Sequence, residues 1–313
     1  MAVDLILGVE GGGTRTFALI SDLSGHVLAR GLAPSSSHRR VGFERACQAL
    51  ATAIEGALAQ VPGGSAKGPG HWGDRIAAAC FGLSGVDQPS DQAMFADWIR
   101  HHGLVSNVDV LNGSELILVG GTAEGWGIGL FSGTGSVCLG RTRDGRTARV
   151  GGWGPLLGDE GSGYQMALQA LQVATQAADG RGNASALLNT VLRHWHLEKP
   201  QQLIDYVHRA ETTTAEIAEI AIPILELAGK GDPDARKIMN HAAQALARHV
   251  NTVARQLELE RPPLALGGSN LRGELRSALM GFVQVPVGTI TVVPDPAQAA
   301  RWPARPGPDR ERP

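Results

Sequence analysis

Twice in this chain an apolar strand runs into a turn of glycines and hydroxyl residues and emerges at once as another strand. The first case is Glu10-Gly11-Gly12-Gly13-Thr14-Arg15, after the apolar run 4–9. The second is Ser132-Gly133-Thr134-Gly135-Ser136, after the run 126–131. A hairpin turn of this composition can aim several backbone N–H groups at phosphate oxygens, and an acid at its start, here Glu10, can hold Mg²⁺ through water. One glycine turn between strands is usually structural. Two at equivalent points of a repeated pattern constrain the fold much more strongly.

The pattern around them repeats. Apolar runs at 4–9, 16–20 and 26–32 read as a three-stranded antiparallel start. Helical spacing at 43–60, a buried-type strand at 75–83, a helix at 91–102 and a strand at 108–111 follow. From 126 the strand order begins again, with a turn at Arg143-Asp-Gly-Arg146. A mostly helical stretch fills 161–260, and strands at 264–266 and 289–293 flank a further turn and helix. Two lobes are expected, residues 1–115 and 116–293. The tail 294–313, with six prolines and four arginines, is expected to be disordered.

Two further loops carry chemistry. Gly267-Gly268-Ser269-Asn270 ends a strand and opens a helix, which suits the adenosine end of a nucleotide. Gly151 to Gly163 holds six glycines, Trp153 and the adjacent acids Asp159 and Glu160. There the tryptophan reads as a packing platform and Asp159 as an acceptor for ring hydroxyls.

These segments resemble the BadF/BadG/BcrA/BcrD-type ATPase family, and especially its N-acetylglucosamine kinase branch, over residues 3 to about 293. The resemblance implies an α/β, two-lobed ribonuclease H-like (actin-like ATPase) fold, each lobe a mixed sheet with helices and a cleft between them. It implies ATP and Mg²⁺ as cofactors. Nucleotide contacts would come from Gly11, Gly12, Gly13, Thr14, Arg15, Gly133, Thr134, Gly135, Gly267, Gly268 and Ser269, with Glu10 on the metal. The sugar would meet Ser37, His38, Gly152, Trp153 and Asp159, and Ser84 in Gly82-Leu-Ser-Gly-Val-Asp87 would border the acceptor pocket.

Two departures fall at the sugar. Where the branch reads Asn-Asp-Ala, its Asp being the base for the attacking hydroxyl, this chain reads Asn112-Gly113-Ser114. Where the branch places an Asn before His, this chain has Ser37 in Ser35-Ser-Ser-His38. Glu115 is no replacement for the base: two helical positions on, a side chain points about 200° away. The expectation is therefore an amino-sugar kinase, acting on the 6-hydroxyl of N-acetylglucosamine and impaired at Gly113. The alternative is an inactive sugar or nucleotide sensor on the same fold.

Composition narrows the rest. A formal charge of −2 offers no field for nucleic acid or an anionic membrane. Cys47, Cys80 and Cys138 lie far apart in apolar surroundings, unlike the ligands of a bridging iron–sulfur cluster, and suggest a reducing, cytoplasmic setting. An apolar start broken by Asp4 and Glu10 reads as a strand and not as a leader, with no DNA-binding segment before it. The expected partner is a small-molecule amino sugar, with a second copy of the chain as an open alternative to a monomer.

Overall fold

The computed structural model describes residues 5–61, 72, 76–86, 88–103, 107–122 and 124–293. The tail 294–313 and Asp87 lie outside the described residues. The chain divides into two compact units, the first running to Gly125 and rejoined at Val293, the second Trp126–Val292.

In the first unit, β1 (Leu5–Gly11), β2 (Arg15–Asp22) and β3 (Val27–Pro34) form an antiparallel meander. It continues through α1 (His38–Val41), α2 (Phe43–Leu58), β4 (Ile76–Leu83), α3 (Pro89–His101), β5 (Val108–Asn112) and α4 (Gly113–Gly121). The sheet order is β3-β2-β1-β4-β5, with β4 and β5 parallel to β1. Strand β1 is apolar on both faces because it is the central strand, and Leu5, Ile6, Leu7 and Val9 are all buried. Helix α2 lays Leu50 and Ile54 on the sheet, each worth about 1.5–3 kcal/mol of burial. It comes close because Gly31 of β3 has no β-carbon, and one there would strike the Ala53 carbonyl.

The second unit repeats the plan: β6 (Gly127–Ser132), β7 (Ser136–Arg141) and β8 (Thr147–Gly151) form the meander. The helices α5 (Gly163–Ala178), α6 (Ser185–His194), α7 (Gln202–His208), α8 (Thr214–Ala218), α9 (Ala221–Gly229) and α10 (Pro233–Gln256) follow. Strand β9 (Leu264–Gly267), α11 (Glu274–Phe282) and β10 (Ile290–Val293) close the unit. Its order, β10-β9-β6-β7-β8, is the first sheet read in reverse, so β6 matches β1 and β9 matches β4. The longest helix, α10, begins at an Asp232 cap followed by Pro233 and buries an alanine-rich stripe with Ile238, Leu246, Val250 and Val253 in the core of the unit.

The mixed sheets and the repeated antiparallel start are as the sequence implies. Helix α1 is an addition: a single turn, too short to leave a hydrophobic period.

Candidate functional site

In the first unit the register of β1 and β2 closes at Gly11 and Thr16. The Gly12 N–H donates to the Arg15 carbonyl at 2.9 Å, which leaves Gly13 and Thr14 at the centre of the turn. Three neighbours hold it. Ser35 Oγ donates to the Gly12 carbonyl at 3.1 Å, Arg40 Nη1 to the Gly13 carbonyl at 2.6 Å, and the Ser84 N–H to the Gly11 carbonyl at 2.7 Å. Below the turn, buried Thr16 Oγ1 lies 2.7 Å from the Pro34 carbonyl and 2.9 Å from Ser36 Oγ. Glu10 sits half-buried on β1, registered with Phe17 and Gly82. Arg15 is exposed on β2, its guanidinium 5.9 Å from the Phe17 ring centre.

The residues expected at the sugar in this unit have separate surroundings. Ser37 is buried, with its N–H 3.3 Å from Ser35 Oγ. His38 places Nε2 3.5 Å from Asp91 Oδ1 and its ring edge-on to Phe95, so it ties α1 to α3. Arg39 ties the same elements, donating to the Gly85 carbonyl and to Asp91 Oδ2, both at 2.9 Å. Asn112 caps α4: its Oδ1 accepts from the Ser114 N–H and Ser114 Oγ, each at 2.9 Å. Gly113 is the first helical residue, and a β-carbon built on it meets no atom within 4 Å.

In the second unit the β6–β7 turn is tighter, the Gly133 N–H reaching the Gly135 carbonyl at 2.9 Å. The Gly133 carbonyl accepts from the Gly163 N–H and from Asn270 Nδ2, both at 2.8 Å. The Asn270 N–H donates to the Ser132 carbonyl at 3.2 Å, the counterpart of the Ser84–Gly11 bond in the first unit. Gly268 makes this approach possible. It has φ +97, and a β-carbon there would strike the Ser132 carbonyl. Ser269 is exposed beside it.

The glycine-rich loop folds back on this turn. Ser132 Oγ donates to the Gly161 carbonyl and Ser136 Oγ to the Glu160 carbonyl, both at 2.8 Å, and the Gly152 N–H donates to the Ser136 carbonyl at 2.9 Å. Asp159, at φ +60, is buried with only 8% exposed. Burial pushes its pKa up, while hydrogen bonds from the Ser136 and Gly154 backbones and the nearby Arg149 work against that rise. Trp153, by contrast, is 73% exposed, at a tip it shares with Leu156 and Leu157. Gln165 Nε2 pins the loop's base through the Pro155 and Gly158 carbonyls at 2.9 and 3.2 Å.

The donor set suits MgATP better than a protein-caged metal. Among the described residues no cluster of three His, Cys, Asp or Glu exists, so Glu10 would hold Mg²⁺ together with phosphate and water oxygens. At the first turn Gly13 leaves room that a β-carbon would fill, 3.2 Å from Arg40 Nη1. Arg40, which a reading of the turn's own sequence misses, brings a cation to it. All three cysteines are buried, and burial raises the Cys47 thiol to about 12 and the Cys138 thiol as well. That is the behaviour of core thiols.

Two units with the same sheet order, each with a glycine turn between its first two strands, define the two-lobed actin-like and sugar-kinase class of fold. A ROK-family glucokinase from Streptomyces griseus, solved with glucose and AMPPNP, shares that fold at a TM-score of 0.59 and 17% identity over 96% of this chain and 98% of its own. This chain belongs to the BadF/BadG/BcrA/BcrD ATPase family, whose sequence pattern matches residues 7–300. It is 33% identical over 264 residues to an N-acetylmuramic acid/N-acetylglucosamine kinase of Clostridium acetobutylicum, covering 83% of each chain. It is 31% identical over 277 residues to an N-acetyl-D-glucosamine kinase of Dictyostelium discoideum, covering 87% of this chain and 86% of the other. A structure from Chromobacterium violaceum, described as a candidate N-acetylglucosamine kinase, superposes with a TM-score of 0.71 at 26% identity over 97% of this chain and 99% of its own. No helix among the described residues is long and apolar enough to cross a membrane.

Proposed function

We propose that this chain transfers the terminal phosphoryl group of ATP to the 6-hydroxyl of an amino sugar, with N-acetylglucosamine as the leading substrate, and does so slowly. One observation carries the reading: the two glycine turns occupy the same point of the two sheets and are braced the same way, by an N–H from the loop after the matching strand, Ser84 to Gly11 and Asn270 to Ser132. The names of the relatives at 33% and 31% identity, which have N-acetylglucosamine in common, support the choice of sugar.

In this reading Gly11 to Arg15 and Gly133 to Gly135 bind the phosphates, Gly267 to Ser269 the adenosine end, and Glu10 the Mg²⁺ through water. Ser37, His38, Ser84, Gly152, Trp153 and Asp159 serve the sugar. Bound MgATP supplies the electrophilic phosphorus, and the chain's own residues orient the acceptor. At residue 113 no carboxylate takes the proton of the attacking hydroxyl, which lowers the rate by about 10²–10⁴. Phosphoryl transfer draws most of its acceleration from positioning and charge neutralisation, so turnover survives.

A coupled assay for ADP over N-acetylglucosamine, glucosamine, N-acetylmuramic acid and glucose tests this. ADP release that depends on an amino sugar is the expected result. Gly113 also favours a second reading, a ligand sensor that binds both molecules and turns over neither. Binding of sugar and nucleotide by calorimetry without sugar-dependent ADP release would establish the sensor instead.

A further inference from the structure

Two neighbouring arginines on the one-turn helix α1 are used differently. Arg39 is neutralised: its Nη2 meets Asp91 Oδ2 at 2.9 Å and its Nε meets the Gly85 carbonyl. Arg40 reaches 27 residues back along the chain to the first glycine turn, where Nη1 donates to the Gly13 carbonyl at 2.6 Å. Among the described residues no carboxylate pairs with Arg40.

Arg40 is exposed as a residue, while partial burial lowers its pKa. One N–H of the guanidinium is taken by a neutral carbonyl and the charge meets no carboxylate among the described residues, which leaves its other N–H groups open to an anion. Arg15, the turn's own arginine, is exposed beside Phe17 on β2, so the cation fastened to the turn comes from another element.

We propose that Arg40 is a phosphate-binding residue, holding the first glycine turn with one N–H and pairing the rest of its guanidinium with the terminal phosphate of the nucleotide. This rests on the kinase reading above and adds a residue to it. A terminal phosphate is the most highly charged part of ATP and matches the parallel donors of a guanidinium, which a lysine does not reproduce.

The test is calorimetry of the full chain with Mg²⁺ and, in turn, ATP, ADP and AMP, on the wild type, Arg40→Gln and Arg40→Lys. Loss of a charge-assisted pair weakens ATP binding about 10–100-fold in Arg40→Gln, ADP less, and AMP by no more than about twofold. Arg40→Lys, which keeps the charge and loses the fork, falls between. An equal loss for all three nucleotides would mean that Arg40 only shapes the turn, and no loss would mean it does not act there; either overturns the assignment. If Arg40→Gln does not fold, the ratio of ATP to AMP affinity in Arg40→Lys decides: unchanged from wild type, it rejects the proposal. A wild type that binds none of the nucleotides rejects the kinase reading itself, before any variant is compared.

Discussion

The carboxylate of Asp159 lies against the backbone of Gly135, so that a β-carbon on Gly135 would stand 2.8 Å from Asp159 Oδ2. The second glycine turn and the loop expected at the sugar are thus one piece of structure, joined further by Ser132 and Ser136. Gly135→Ala forces the carboxylate away, at about 1–3 kcal/mol for an overpacked site. Thermal unfolding should show the loss. If Gly135→Ala unfolds at the wild-type temperature, the contact is loose and the coupling of turn and loop is wrong.

Asp159 and Trp153 belong to one loop and should separate experimentally. Asp159→Ala strips the acceptor from the Ser136 and Gly154 N–H groups, costing about 1–3 kcal/mol for each donor left buried. Trp153→Ala removes a side chain that is 73% exposed and leaves stability nearly unchanged, while weakening sugar binding. Both melting temperature and sugar affinity are to be measured. A large fall in Tm for Trp153→Ala would place its ring against the protein and end its role as a platform.

A histidine at the foot of the same loop sets an acid limit on stability. His249 Nε2 lies 3.6 Å from Glu160 Oε2, its Nδ1 is buried without a partner, and its ring packs beneath Gly151. Burial lowers its pKa below 6.5, with the Glu160 carboxylate acting the other way. The folded state therefore binds the proton less tightly than the unfolded chain. Stability is full above 6.5 and is lost as pH falls from there towards the folded value. Between pH 7.5 and 5.5 the wild type should lose more degrees of Tm than His249→Gln. Equal losses would assign the acid sensitivity to other groups.

The meander of each unit was readable because it is local: apolar strands joined by turns whose glycines announce themselves. The bracing of the turns was not readable, since it depends on contacts between segments far apart in the chain. Arg40 reaches Gly13 from a one-turn helix with no periodic signature, and Asn270 reaches Gly133 across 137 residues. Asp159 was legible as a polar residue of a special loop but not as a buried one. Its position depends on a φ of +60, which a non-glycine residue adopts only where its surroundings hold it there. The open space at Gly113 was equally hidden, since only packing tells whether a glycine is required or merely present.

That space makes Gly113 the position where a single substitution separates a slow kinase from a sensor. A β-carbon at 113 meets nothing within 4 Å, and the residue opens α4 behind the Asn112 cap. The β-carbon of Gly113→Asp therefore meets no clash. A carboxylate in the first turn gains about 0.3–1 kcal/mol from the helix dipole, so the variant should melt at or above the wild-type temperature. Its kcat with MgATP and N-acetylglucosamine should rise by about 10²–10⁴, the usual worth of a general base, with a smaller change in KM because the carboxylate acts on the chemical step. A Gly113→Asp protein that melts normally, binds both ligands and still releases no sugar-dependent ADP would rule out a dormant kinase site. Sensing would then be what the two glycine turns and the sugar loop are for.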